Sequence, residues 1–274
     1  MANIKVTFLG TGAGNSVHRS HTAIVLDCPD GTRLLLDTSS GNSVLRQGAA
    51  VGMTGQGFDQ VLVTHSHGDH LGGLPFLEGQ RTMVDPQGPP LRVYSTEEAL
   101  EAVRQLCGAT RLRAIVIDKD GARSLEGNQV FQWLPAEVGQ RLELGAGTHA
   151  SSFSVDHISD AVGWRVESNG VAVVFSGDTR FSTNLVEAAQ GAKLLIHEAM
   201  CTERDEDDAH QRGHSTSADA GRAAALAGVA ELVITHIDTP FHFDPQPLAD
   251  DARRFFDGPI TVASDLYQMN VNAG

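Results

Sequence analysis

The stretch His65-Ser66-His67-Gly68-Asp69-His70 constrains this chain more than any other. It follows Val61-Leu62-Val63, an apolar run that predicts a buried strand. Three imidazoles and one carboxylate then fall within six positions. At that spacing an extended loop can turn its donors inward around one point. Imidazole nitrogens suit zinc, manganese or iron, and the carboxylate adds a hard oxygen ligand.

The same pattern recurs downstream. Phe153-Ser154-Val155-Asp156 leads to His157, and Val171 to Gly177 leads to Asp178. Leu194-Leu195-Ile196 leads to His197-Glu198, and Leu232 to Thr235 leads to His236. One strand ending in a histidine is unremarkable. Five apolar runs ending in His, Asp or Glu predict strand ends that converge on one polar site. Helical stretches are expected between them at Leu185–Gln190, Thr216–Ala227 and Leu248–Phe256, with glycines close behind.

Upstream, Ile4 to Leu9 reads as a strand ending in Gly10-Thr11-Gly12-Ala13-Gly14. A dinucleotide fingerprint would need glycine where Asn15 stands, so a tight glycine turn is expected instead. Thr22–Leu26 and Arg33–Leu36 read as strands around the turn Pro29-Asp30-Gly31. Asp37 either orients a metal ligand or caps the turn that follows it. A short helix is expected over Asn42–Ala50 and another from Leu71. Met83–Pro90 reads as a loop and Leu91–Tyr94 as a strand. Ser95-Thr96-Glu97-Glu98 has the form of a capping box, opening a helix to Cys107 that Gly108 would stop. Asn128–Leu134 and Arg141–Leu144 look like strands of a second sheet. His197 is expected to support the site or the strand end rather than to ligate. His18, His21, His149, His210 and His242 carry no motif and read as surface or packing residues, although His242 lies near the site in sequence.

The 274 residues are 41% apolar and 20% charged, ordinary for one globular domain over 1–274, and no linker interrupts them. The net charge of −14 repels long polyanions. Cys28, Cys107 and Cys201 form no CxxC pair or disulfide framework. That suits a reducing compartment. With no signal peptide and no apolar run near the ~18 residues of a membrane span, a cytoplasmic location is expected.

His65-x-His67-x-Asp69-His70, then His157, Asp178 within Ser-Gly-Asp-Thr, and His236 resemble the ligand set of the metallo-β-lactamase superfamily. The resemblance covers nearly the whole chain. Within that superfamily, His197-Glu198-Ala199-Met200 resembles the H-E-A-T motif of the ribonuclease Z group, and His214-Ser215-Thr216 resembles its H-S-T loop. The resemblance implies an αββα sandwich: two mixed β-sheets flanked by helices, with two divalent metals at one sheet edge. It places His65, His67 and His157 on one metal, Asp69, His70 and His236 on the other, and Asp178 between them. Zinc is the first expectation, with manganese and iron as alternatives. The resemblance also implies a homodimer. Seven N/O donors are too many for one tetrahedral ion and suit two ions about 3.5–4 Å apart. Asp69 would then orient the attacking hydroxide, and His214, held by Glu198, would protonate the leaving oxygen.

The chain departs from the ribonuclease Z pattern in two places. That group inserts a tRNA-gripping arm between the third histidine ligand and the bridging aspartate. Here Asp178 follows His157 by only 21 positions, filled by a hairpin turning at Ser168-Asn169-Gly170. The group also carries a basic residue after its final histidine, whereas this chain reads His236-Ile237-Asp238-Thr239. With the acidic balance, these departures favour a small or nucleotide-like phosphodiester as substrate over tRNA. The alternatives are a ribonuclease Z-type tRNA 3′-processing endonuclease, a lactonase or other carboxylic-ester hydrolase, and a non-catalytic metal-binding protein.

Overall fold

A computed structural model describes residues 3–54, 57–84, 88–110, 115–118, 121–124 and 130–273. The chain forms strands β1 (Asn3–Gly10), β2 (Ala23–Asp27), β3 (Arg33–Leu36), β4 (Gln60–Leu62) and β5 (Leu91–Ser95). A separate antiparallel pair follows, β6 (Ile115–Asp118) and β7 (Gly121–Ser124), then β8 (Phe131–Pro135). The second half supplies β9 (Arg141–Glu143), β10 (Thr148–Ser154), β11 (Val162–Ser168), β12 (Val171–Phe175), β13 (Leu194–Glu198), β14 (Glu231–Thr235) and β15 (Ile260–Val262). The last strand, β16 (Gln268–Asn272), returns to the first half.

These strands make two seven-stranded sheets, ordered β16-β1-β2-β3-β4-β5-β8 and β15-β14-β13-β12-β11-β10-β9. Each is antiparallel on one side and parallel on the other. Leu34-Leu35-Leu36, Leu194-Leu195-Ile196 and Leu232-Val233-Ile234 are apolar throughout because parallel strands here bury both faces.

One core lies between the sheets, where Phe8, Leu26 and Leu36 meet Trp164, Phe175 and Ile196. Trp164 is fully buried, and its Nε1 donates to Val63 O at 3.1 Å. That bond ties the second sheet to the backbone that launches the His65–His70 loop. Helices α1 (Ser43–Ala50), α3 (Leu74–Val84) and α4 (Glu97–Thr110) cover the outer face of the first sheet, and α2 (Gly68–Leu71) lies within the histidine motif. Helices α5 (Thr183–Ala188), α7 (Ser217–Ala227) and α8 (Gln246–Arg253) cover the second, with α6 (Glu206–Gln211) preceding α7. Small residues set the closeness of α7 and α8: a Cβ on Gly221 would stand 2.4 Å from Ala252 O. The layers are helix, sheet, sheet, helix, as the resemblance implies. No helix among the described residues is long and apolar enough to cross a membrane.

Several boundaries differ from expectation. Ser95 does not cap α4. It is the buried last residue of β5, and its hydroxyl donates to Val63 O at 2.9 Å. Thr96 Oγ1 takes the cap, accepting from Ala99 N at 3.3 Å. Gly108 does not stop that helix, which runs on to Thr110. The helix expected from Leu71 starts at Leu74 and reaches Val84, so the loop begins later; residues 85–87 lie outside the described ones. The strand expected from Asn128 is Phe131–Pro135, with 128 and 129 outside the described residues. The hairpin between β11 and β12 is as expected. Asn169 (φ 48°) and Gly170 (φ 83°) form a two-residue turn of the primed kind.

Candidate metal centre

The carboxyl ends of β4, β12, β13 and β14 point to one edge of the sandwich, where open α/β sheets place their ligands. The loop after β4 brings His65, His67, Asp69 and His70. The turns after β10, β12 and β14 bring His157, Asp178 and His236. Donor atoms of His65, His67, His157 and Asp178 all lie within 4.8 Å of one another, as do those of Asp69, His70, Asp178 and His236. Asp178 belongs to both groups. Its Oδ2 stands 3.2 Å from His70 Nε2, 3.3 Å from His236 Nε2, 3.7 Å from His65 Nε2 and 3.9 Å from His157 Nε2.

Three of the inward nitrogens are aimed by a bond to the opposite ring nitrogen. His70 Nδ1 donates to Asp37 Oδ2 at 2.7 Å, His65 Nδ1 to Thr64 Oγ1 at 2.9 Å, and His157 Nδ1 to Gly213 O at 2.8 Å. That fixes the tautomer and leaves Nε2 with its lone pair facing inward. Asp37 also accepts from Thr64 N and Thr64 Oγ1. Of the two roles open to Asp37, orienting a histidine is the one observed. Asp37 and His236 hold left-handed backbone (φ 55° and 57°), strain that collects where a fold holds a functional group in place.

These residues suit metal ions. The Nε2 atoms of His65 and His70 are buried without a hydrogen-bond partner, a costly arrangement unless a cation accepts their lone pairs. His67 Nδ1 and His157 Nε2 approach to 3.1 Å, close enough for both to face one ion. Burial works against ionisation of Asp178, but His236, His70 and His65 outweigh it and hold its pKa well below the usual range. Asp69 is also lowered, since His70 and His236 overcome its burial.

Glu198 ends β13, fully buried, with Oε1 accepting from Thr179 N at 2.8 Å and from His214 Nδ1 at 2.9 Å. The His214 ring stacks on His236, with centroids 5.2 Å apart. Burial pulls the His214 pKa down, but the charge and hydrogen bond of Glu198 prevail, and it is raised to about 9. His197 points away from the centre, and its Nδ1 donates to Glu198 O at 2.6 Å. It supports the strand end, as expected.

Above the histidines opens a cleft of about 200 Å³, lined by Gly14, Asn15, Met200, Arg212 and His214 beside the donor groups. The glycine turn packs under it: a Cβ on Gly14 would stand 2.9 Å from Asp69 Oδ2. The sequence reading passed over Arg212. Its signal was modest, a cation two positions before His214. It occupies the cleft where no basic residue follows His236.

Fold and site together define a metallo-β-lactamase-type hydrolase. A beta-lactamase superfamily domain matches residues 32–237, and the chain belongs to that superfamily, within its ribonuclease Z-like part. The ribonuclease Z of Methanothermobacter thermautotrophicus is 30% identical over 311 aligned positions, covering 98% of this chain and 97% of the relative. That alignment is longer than the chain, so the relative holds insertions this protein lacks. Among solved structures, the metallo-beta-lactamase fold protein YhfI from Bacillus subtilis superposes with TM-score 0.80 at 21% identity, covering 98% of this chain and 99% of its own. Human tRNase Z, short form (ELAC1), follows with TM-score 0.75 at 23% identity, covering 98% and 99%.

Proposed function

We propose that this protein is a metal-dependent RNA phosphodiesterase of the ribonuclease Z kind. The reading departs from the small-substrate expectation. The Glu198–His214 pair carries it: a histidine held cationic by a buried carboxylate beside the metal groups, as cleavage of an alkoxide leaving group requires. The ribonuclease Z relatives support RNA as the substrate class.

In this reading His65, His67 and His157 would hold one divalent ion, Asp69, His70 and His236 a second, and Asp178 would serve both. Zinc fits the nitrogen-rich set best. When bound, such ions supply Lewis acidity and a water acidified from a pKa of 15.7 to about 7. Asp69 would orient the attacking water. Arg212 meets a non-bridging phosphate oxygen. Its Nη2 is bonded to exposed Asp208, and the rest of its fork carries no bond among the described residues. His214, bound to Glu198 through Nδ1, protonates the leaving oxygen from Nε2.

A second reading, a hydrolase of small phosphodiesters, has one specific observation in its favour. The two-residue turn at Asn169-Gly170 leaves no room for a tRNA-holding arm between His157 and Asp178. The metallated protein should be assayed with a precursor tRNA bearing a 3′ trailer, bis-p-nitrophenyl phosphate and a lactone. Cleavage at the trailer supports the first reading. Turnover of bis-p-nitrophenyl phosphate without any RNA cleavage transfers the assignment to the second, and lactone turnover alone rejects both.

A further inference from the structure

Resting on the RNA reading, we infer that the substrate strand leaves the metal cleft across an aromatic platform built from His18, His242 and Phe243, with Arg46 holding a neighbouring phosphate.

The platform is one connected group of rings. His18 stacks on His242 with centroids 4.8 Å apart and planes inclined by 26°. Phe243 meets His242 edge-on at 4.5 Å and His18 at 5.0 Å. Phe243 is nevertheless 80% exposed, and Val17 beside it 76%. Three rings held in mutual contact while one keeps a face in water resemble a stacking surface with a vacancy more than a packed core.

Its position is set by the catalytic loops. Asn15 lines the metal cleft and accepts from Thr239 Oγ1 at 3.3 Å, joining the glycine turn to the segment from His236 to Phe243. On the other side, His18 lines an adjoining cleft of about 300 Å³ with His21, Ser43 and Arg46. The two clefts meet at the glycine turn: Gly14 packs against Asp69, residues 13–15 line the metal cleft, and residues 16–21 line the second.

The charge balance points to a phosphate. In a chain of net charge −14, this cleft sets two guanidinium groups, Arg19 and Arg46, beside the imidazoles of His18 and His21 and against a single carboxylate, Asp265. That carboxylate is already engaged by Thr11 N, Thr11 Oγ1, Ser20 N and Gln47 Nε2. Arg19 is buried against Thr11 and Ala263 O. Arg46 is exposed, and its side chain has no hydrogen bond among the described residues, leaving its whole fork for a ligand. Exposed rings beside an unspent guanidinium suit a single-stranded nucleic acid, whose bases stack on any π-face while its backbone seeks cations.

The test compares the metallated wild-type protein with Phe243→Ala, Phe243→Trp and Arg46→Ala. Substrates are bis-p-nitrophenyl phosphate and a short single-stranded RNA carrying 2-aminopurine. Phe243→Ala should raise the KM for RNA about tenfold, as loss of one base stack does, and relieve the 2-aminopurine quenching seen on binding. Phe243→Trp should restore both. Arg46→Ala should flatten the dependence of log K on log salt by about 0.7, one phosphate contact on a single strand. All variants should turn over bis-p-nitrophenyl phosphate as the wild type does. RNA cleaved equally by wild type and variants, with no change in quenching, overturns the platform and leaves the RNA reading standing. Wild-type turnover of bis-p-nitrophenyl phosphate with no binding or cleavage of RNA rejects the RNA reading, and the platform with it. A dimer that dissociates on Phe243→Ala, with RNA kinetics unmoved, gives the patch to a second copy of the chain and overturns the inference.

Discussion

The floor and the rim of the metal cleft are built on opposite terms. On the floor, His65, His70 and Asp37 are wholly buried, and their bonds run to one another and to the backbone of β4 and its loop. On the rim, His214, Arg212 and Asn15 keep contact with solvent and sit on loops. The floor fixes where an ion can sit. The rim decides what may approach it and which oxygen receives a proton. One scaffold can therefore serve several substrates by changing its rim, and the two regions should fail differently when mutated.

The strongest separation is expected from Asp178→Ala. It removes the carboxylate common to both donor groups, around which five imidazoles are gathered. Activity should fall below detection, and metal analysis should find one ion per chain or none, against the two proposed for the wild type. Retention of two ions would show that Asp178 is no bridge. His214→Ala should instead lower kcat about 10²–10⁴-fold with metal content intact, the signature of a lost general acid. If metal departs with His214, the division into floor and rim is wrong at that residue.

The sequence revealed the floor far better than the rim, for a physical reason. Metal donors must come in a fixed number and project from strand ends, so their spacing is short and regular, as in His65 to His70. Apolar runs before His157, Asp178 and His236 betrayed the second sheet in the same way. Rim residues obey no such spacing. Arg212 and Asn15 come from loops nearly two hundred positions apart and meet only because Ile237 pairs its backbone with Thr11 and Ala13. His18 and His242 bear no motif, and their stacking exists only in the folded chain. The Ser95 error was of another sort. Ser-x-x-Glu is a local pattern, and a tertiary bond to Val63 O claimed the hydroxyl that the pattern assigned to a cap.

Asp37→Asn probes the floor more gently. The side chain keeps its shape but loses the charge that receives His70 Nδ1–H. Metal affinity should drop about 10–100-fold, as when a carboxylate behind a ligating histidine is removed. Titration with a competing chelator reads this directly. Added metal should restore activity, which it cannot do for His214→Ala.

The smallest effect is expected where the rim is anchored. Thr216 and Asp219 form a reciprocal capping box at the start of α7, directly after His214 and Ser215. Asp219 Oδ2 accepts from Thr216 N at 3.1 Å and from His210 Nε2 at 2.8 Å. Burial would raise the Asp219 pKa, but the bonds from His210 and Thr216 outweigh it, and the group is lowered. A carboxyl lowered on folding stabilises the protein above its unfolded pKa of about 3.9 and loses that contribution as pH falls through the folded value. Asp219→Asn should therefore cost about 0.5–2 kcal/mol at neutral pH, and the gap to wild type should close below about pH 4. Denaturant melts at several pH values measure this. A gap that stays constant with pH would mean the carboxylate charge does nothing for the cap. Because α7 carries the His214 loop, kcat should fall modestly while both ions stay bound. Loss of an ion in this variant would show that the rim holds the floor in place and that the two regions are one.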